Sequence, residues 1–181
     1  GSEAFHYYKL QFAQDWAKRL KWPLYCFIAV AFWNMLGAGV FGFLINPPLA
    51  LFYIQGLNTT AVHAHTALFG VYGFLALGFV WLVALYIYKD KNFDDTLMKI
   101  GFWALNTGLL LMVLISLLPV GILQAFAAID VGMWYARSAE FLQKDSLYGL
   151  RWARIIGDTI FLVGSVCFLL QIVRMIFSRA K

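Results

Sequence analysis

From Ile100 to Ile129 the chain runs for 30 consecutive residues without a charge. At about 1.5 Å per residue, a helix over that run is about 45 Å long, more than the roughly 30 Å of a bilayer's hydrocarbon core. Either the helix tilts and projects, or Pro119 kinks it. We expect one long helix continuing toward Glu140. Two more charge-free stretches of spanning length accompany it, Pro23 to about Leu44 and about Asn58 to Tyr88, and a last span begins near Arg151 and ends near Arg174. Pro23 falls in the first turn of its span, where a missing N–H is harmless. Asn46-Pro47-Pro48 cannot continue a helix, so residues 45–57 read as a loop.

A soluble domain of this length could not hide so much apolar surface. Hydrophobic residues are 62% of the chain and charged residues 13%, where about 45–50% and 25% are usual. The chain is therefore all-α, a polytopic transmembrane bundle of about four spans. Residues 1–22 form an interfacial N-terminal segment, with Trp16 beside Lys18, Arg19 and Lys21, and residues 23–181 form the bundle. That opening is polar and aromatic, not basic followed by apolar, so no cleavable signal is expected in it. A net charge of +5 would point to nucleic acid in a soluble protein; here it fits Lys and Arg at membrane edges, and no nucleic-acid partner is expected. Lipid is the first partner.

The short flanks give an orientation. Lys9, Lys18, Arg19 and Lys21 precede the first span, Lys89, Lys91 and Lys99 lie between the second and third, and Arg174, Arg179 and Lys181 close the chain. The positive-inside rule places both termini in the cytoplasm. The third loop, with Arg137, Lys144, Arg151 and Arg154, falls outside despite its charges, so either the orientation signal is weak or those arginines have a functional reason. Asp130, Arg137 and Glu140 read as a solvated helix face. Trp22, Trp81, Trp103, Trp134 and Trp152 sit near span ends, as interfacial belts do. Cys26 and Cys167 read as buried packing residues, since a free Cys inside apolar runs behaves as a small hydrophobe. Without a Cys-x-x-Cys-His sequence the chain has no covalent c-type haem site.

His63-Ala64-His65 lies near one end of the second span. Imidazoles inside an apolar helix are costly unless something binds them. Residues two apart are turned about 200° from one another, so the two rings cannot hold one ion together but can serve two centres flanking the helix. Ala67 and Gly70 follow His63 on its own face and clear room there for a flat macrocycle. Leu68, Phe69 and Tyr72 line the other side. The alternative is two histidines hydrogen-bonded to neighbouring helices. Gly37, Gly39 and Gly42, with Gly70, Gly73 and Gly78, let helices or a cofactor approach closely.

The stretch from Asn58 to Gly73, centred on His63-Ala64-His65-Thr66-Ala67-Leu68-Phe69-Gly70, resembles the two-haem helix of the haem–copper oxidase superfamily, in its nitric oxide reductase branch. Trp33-Asn34-Met35-Leu36-Gly37-Ala38-Gly39-Val40-Phe41-Gly42-Phe43 is similar to the helix before it. Leu118-Pro119-Val120-Gly121 and Trp152-Ala153-Arg154-Ile155-Ile156-Gly157-Asp158-Thr159 resemble the last two helices of the single-chain, quinol-oxidising form. The resemblance implies that these spans belong to a twelve-helix catalytic core in a bacterial inner membrane, with His63 the ligand of haem b3 and His65 a ligand of haem b. It implies electron flow from quinol through haem b to haem b3 and a non-haem iron, reducing NO to N2O. The second ligand of haem b and the ligands of the non-haem iron are then missing from this chain; His6, the remaining histidine, is given no metal. The chain is thus expected to be the C-terminal part of a reductase, partnered by the remainder of the catalytic chain and by quinol, with a homodimer compatible.

Asp158 carries two readings. It can pair with Arg154 four residues earlier, or, as the resemblance implies, line a quinol pocket with Arg154, where a carboxylate accepts a hydrogen bond and a proton. The rival functions are a haem–copper cytochrome oxidase fragment, a non-catalytic haem-binding membrane subunit, and a transporter whose histidines relay protons.

Overall fold

A computed structural model describes residues 18–88 and 93–178. The opening segment up to residue 17, with His6 and Trp16, lies outside the described residues, as do Lys89, Lys91, Arg179 and Lys181. Among the described residues four helices are long and apolar enough to cross a membrane: α1 (Lys21–Ile45), α3 (Asn58–Ile87), α4 (Asp95–Asp130) and α6 (Asp145–Phe177). Two short helices, α2 (Pro48–Ile54) and α5 (Ala139–Leu142), lie in the connections at one end. We call this the loop end; the opposite, terminal end carries Lys21, Asp95 and Arg174.

Three of these spans run further than their apolar stretches, and α3 keeps to its own, Asn58–Ile87. Asp94 caps α4, its side chain accepting from the amides of Thr96 at 2.9 Å and Leu97 at 3.2 Å. Charged residues such as Asp95 and Lys99 therefore belong to the helix, in its interfacial turns. Lys21 and Trp22 are already part of α1, and both donate to the Asp95 carboxylate, at 2.8 and 2.7 Å. Arg174 near the end of α6 bonds Asp94 at 2.6 Å. The Leu97 amide, with the Arg174 guanidinium and the Thr96 amide, holds the Asp94 carboxyl below the usual carboxylate range.

Three spans widen into π-turns midway: Asn34–Phe41 in α1, Leu68–Gly73 in α3 and Val113–Leu117 in α4. In α4 the cause is local. Pro119 has no N–H to offer one turn back and its ring crowds that carbonyl, and the wider turn absorbs the mismatch. The expected helix toward Glu140 ends instead at Asp130. Gly132, at φ +132°, turns the chain, and a 3₁₀ turn over Tyr135–Arg137 precedes α5. Asn46-Pro47-Pro48 does end α1, but Pro48 then opens α2, its missing N–H harmless at that position.

The bundle is held chiefly by α6 packed along α4, by α1 against α3, and by the loop-end half of α3 against α4. Between α4 and α6 the contact is backbone to backbone. A Cβ on Gly108 would meet Phe161 N at 2.6 Å, and one on Gly157 would meet Met112 N at 2.6 Å. Gly164 faces Leu105 N at 2.8 Å in the same way, and Gly101 lies under the Phe168 ring. Gly37 lies beneath Thr66, Gly70 beneath Trp33 and Gly78 beneath Phe27. Gly70 meets an indole where its spacing from His63 led us to expect room for a flat macrocycle: Trp33 of α1, the span that also faces His63, lies over it.

Trp81 and Trp22 are core residues rather than interfacial belts, 0% and 3% exposed. Trp81 meets Phe168 edge to face. Trp134, at 85% exposed, is free to lie at an interface.

Candidate cofactor-binding histidines

The two imidazoles reach different neighbours. His63 Nδ1 lies 2.9 Å from the carbonyl of Gly37 in α1. His65 Nδ1 lies 2.8 Å from the carbonyl of Ala61, one turn back in α3, and its Nε2 lies 3.1 Å from Arg154 Nη2 of α6. A carbonyl can accept but not donate, so each Nδ1 carries a proton; at His65 the Arg154 donor meets an Nε2 lone pair, and a neutral His63 ring presents one as well. That is the state a metal-ligating histidine needs, with its second ring nitrogen fixed by an outer partner. The donor chemistry of both rings therefore fits one iron each.

Local packing sets the His63 ring. A Cβ on Gly42 would touch its Cε1 at 3.0 Å, so the ring lies against the bare backbone of α1. Its acceptor, Gly37, stands inside the α1 π-turn, where the wider coil alters the ordinary ladder. Thr66 fills the space between, donating to the Val62 carbonyl at 2.7 Å and packed on Gly37. Both histidines are half-buried, with Val62 and Thr66 buried beside them.

Arg154 joins the remaining site candidates. Its Nε donates to Asp158 Oδ1 at 3.2 Å while its Nη2 meets His65. Their side chains are 37% and 45% exposed, so the pairing expected from their spacing forms at an open edge. Iron binding at His65 requires the guanidinium to give up the Nε2 lone pair and turn, with Asp158 as its remaining anchor. Among the described residues no three His, Cys, Asp or Glu side chains come together to hold a metal ion. A non-haem iron has no ligand set there.

The loop-end arginines also have structural partners. Arg137 is not part of a solvated helix face: its guanidinium donates to the Met133 carbonyl at 2.6 Å and to the Gln55 carbonyl. Arg151 donates to the Leu142 carbonyl at 2.9 Å. Lys144 lies over the rings of Tyr135 and Phe141. Bonds to the carbonyls of bent connections thus account for Arg137 and Arg151 at this end.

Residues 6–160 match the family described as Cytochrome C and Quinol oxidase polypeptide I. Over 142 residues the chain is 28% identical to a nitric oxide reductase subunit of Stutzerimonas stutzeri, an alignment covering 74% of this chain and 29% of that protein. The chain thus spans less than a third of the length of the curated relative it matches.

Proposed function

The chain belongs to the cytochrome c and quinol oxidase polypeptide I family, and from that membership we propose that it is the C-terminal part of a membrane quinol-dependent nitric oxide reductase, reducing two NO to N2O and water. One observation carries the reading: two imidazoles on one helix, each with Nδ1 fixed on a carbonyl so that Nε2 is the atom left for a metal, reaching toward different spans. His63 holds haem b3 and His65 holds haem b. The haems and a non-haem iron supply the electron transfer and the joining of the two nitrogens when bound. The ligands of that iron, and the second ligand of haem b, come from the remainder of the catalytic chain. The similarity to the nitric oxide reductase of Stutzerimonas stutzeri supports the choice of reaction.

The chain's own residues do the positioning. The Gly37 and Ala61 carbonyls hold the two ring tautomers, and the bare backbone at Gly42 sets the depth of the His63 ring. Asp158 accepts a hydrogen bond from a quinol hydroxyl and takes its proton; the Arg154 Nε–Oδ1 bond holds that carboxylate in place. The terminal end faces the cytoplasm of the bacterium, in keeping with its excess of Lys and Arg.

A second reading follows from the family itself, whose description covers cytochrome c and quinol oxidases: an oxidase with copper in place of the non-haem iron. Iron and copper analysis of the purified assembly separates the two. The test of the ligand assignment is a pair of substitutions in that assembly. His65→Ala removes the low-spin spectrum and stops electron entry, whereas His63→Ala disturbs the high-spin signal and leaves haem b reducible. Loss of one and the same haem by both substitutions would defeat the assignment.

A further inference from the structure

Gln124 is a polar residue in the apolar run of α4 and is 5% exposed. Both ends of its amide are used on other segments. Its Oε1 accepts from the Asn58 amide at 3.0 Å, and its Nε2 donates to the Ala136 carbonyl at 3.1 Å. Asn58 is the first residue of α3, and the first amides of a helix have no partner within it. Leu57, at the cap position, has no polar side chain to supply one. The cap comes instead from another span, 66 positions along the chain.

The approach is close on the same face. A Cβ on Gly121, three residues before Gln124, would meet Thr59 N at 2.5 Å and the Asn58 carbonyl carbon at 2.9 Å. Leu57 is buried with Val120, Ala127 and Ala136, and Arg137 ties the Gln55 carbonyl just upstream. The start of α3 is thus pinned in depth and rotation, and His63 and His65 follow it by about 7.5 and 10.5 Å along the axis.

We propose that Gln124 is a positioning residue for His63 and His65, acting through the α3 backbone; this rests on the reading of those histidines as haem ligands. Gln124→Leu removes both hydrogen bonds at similar volume. Gln124→Glu, protonated in this buried place, keeps an acceptor for Asn58 and a donor for Ala136. Gln124→Asn keeps an amide but loses the reach, and serves if the leucine variant does not accumulate in membranes.

Two measurements on the full-length membrane protein decide the matter. Amide exchange over residues 58–66 reads the clamp, and the reduced visible spectrum with the haem b midpoint potential reads the ligands. Gln124→Leu or Gln124→Asn should speed exchange about fivefold, the scale of losing one helix cap, and should shift the midpoint; Gln124→Glu should restore both. Unchanged exchange overturns the proposal, and so does faster exchange with a wild-type spectrum and midpoint. A wild-type protein without haem refutes the haem reading instead, and the exchange arm then judges the clamp alone.

Discussion

Replacing Gly108 by Ala tests the backbone seam between α4 and α6. The added Cβ would lie 2.6 Å from Phe161 N and 2.8 Å from both the Gly157 carbonyl oxygen and Phe161 Cα. All three are backbone atoms of one helix turn, so no side chain can swing aside. Reaching an ordinary contact near 3.4 Å needs a helix displacement of about 0.8 Å. Overpacking of this sort costs about 1–3 kcal/mol, and a rigid helix with no flexible neighbour belongs in the upper half of that range. Against it stands a gain of about 1 kcal/mol from replacing Gly by Ala within a helix. The net expectation is a loss of about 1–2 kcal/mol. Gly149 on α6 is the control, since its Cβ meets nothing within 4 Å; Gly149→Ala should be neutral or stabilising. The assay is denaturant-driven unfolding of the purified protein in mixed micelles, with both variants beside wild type. Gly108→Ala as stable as Gly149→Ala would refute the close-packed seam.

Asp158→Asn keeps size and loses charge, so quinol-driven turnover should fall by roughly 10²–10⁴-fold, as on removing an acid–base group. Reduction by an artificial donor feeding haem b should persist; equal loss of both activities would mark a folding defect and end the quinol assignment. At the terminal end, the lowered pKa of Asp94 fixes a sign. A carboxylate held below its unfolded value, near 3.9, stabilises the fold above that pH and loses its contribution as pH falls through the folded value. Asp94→Asn retains a capping side chain, so its unfolding midpoint should vary less than wild type below about pH 4. Parallel acid limbs for the two proteins would show that Asp94 contributes nothing there.

Long apolar runs made the four spans legible, because a bilayer excludes charge from its core however the helices pack; in the last span Arg154 and Asp158 stand near one end of the run. The ends of the spans were not legible, since Asp95, Lys99 and Asp145 remain helical in the interface, where charge is tolerated. The π-turns leave no trace in apolar counting, and neither does the Trp33 ring that α1 lays over Gly70. The seam had a readable sign in the seven-residue spacings of Gly101 with Gly108 and of Gly157 with Gly164. The His63-Ala64-His65 pair announced itself by polarity and spacing alone. Its supports did not. The Gly37 carbonyl is 26 positions from His63, and Gln124 is 66 from Asn58. Such partners depend on which spans become neighbours, and local pattern says nothing of that. Arg137 misled for the same reason: the Gln55 carbonyl it holds is 82 positions away.

Because one short stretch of helix carries both rings, they cannot be tuned one at a time from within it. A sideways shift of α3 that brings His65 half an ångström nearer its neighbours draws His63 back by a comparable amount, and about that much error is all a working site tolerates. Independent adjustment has to come from the walls, α1 for one ring and α6 for the other. On the proposed haem reading, the histidine helix is therefore the part least free to drift over evolutionary time, and divergence in the properties of whatever the two rings hold should be written into the spans facing it.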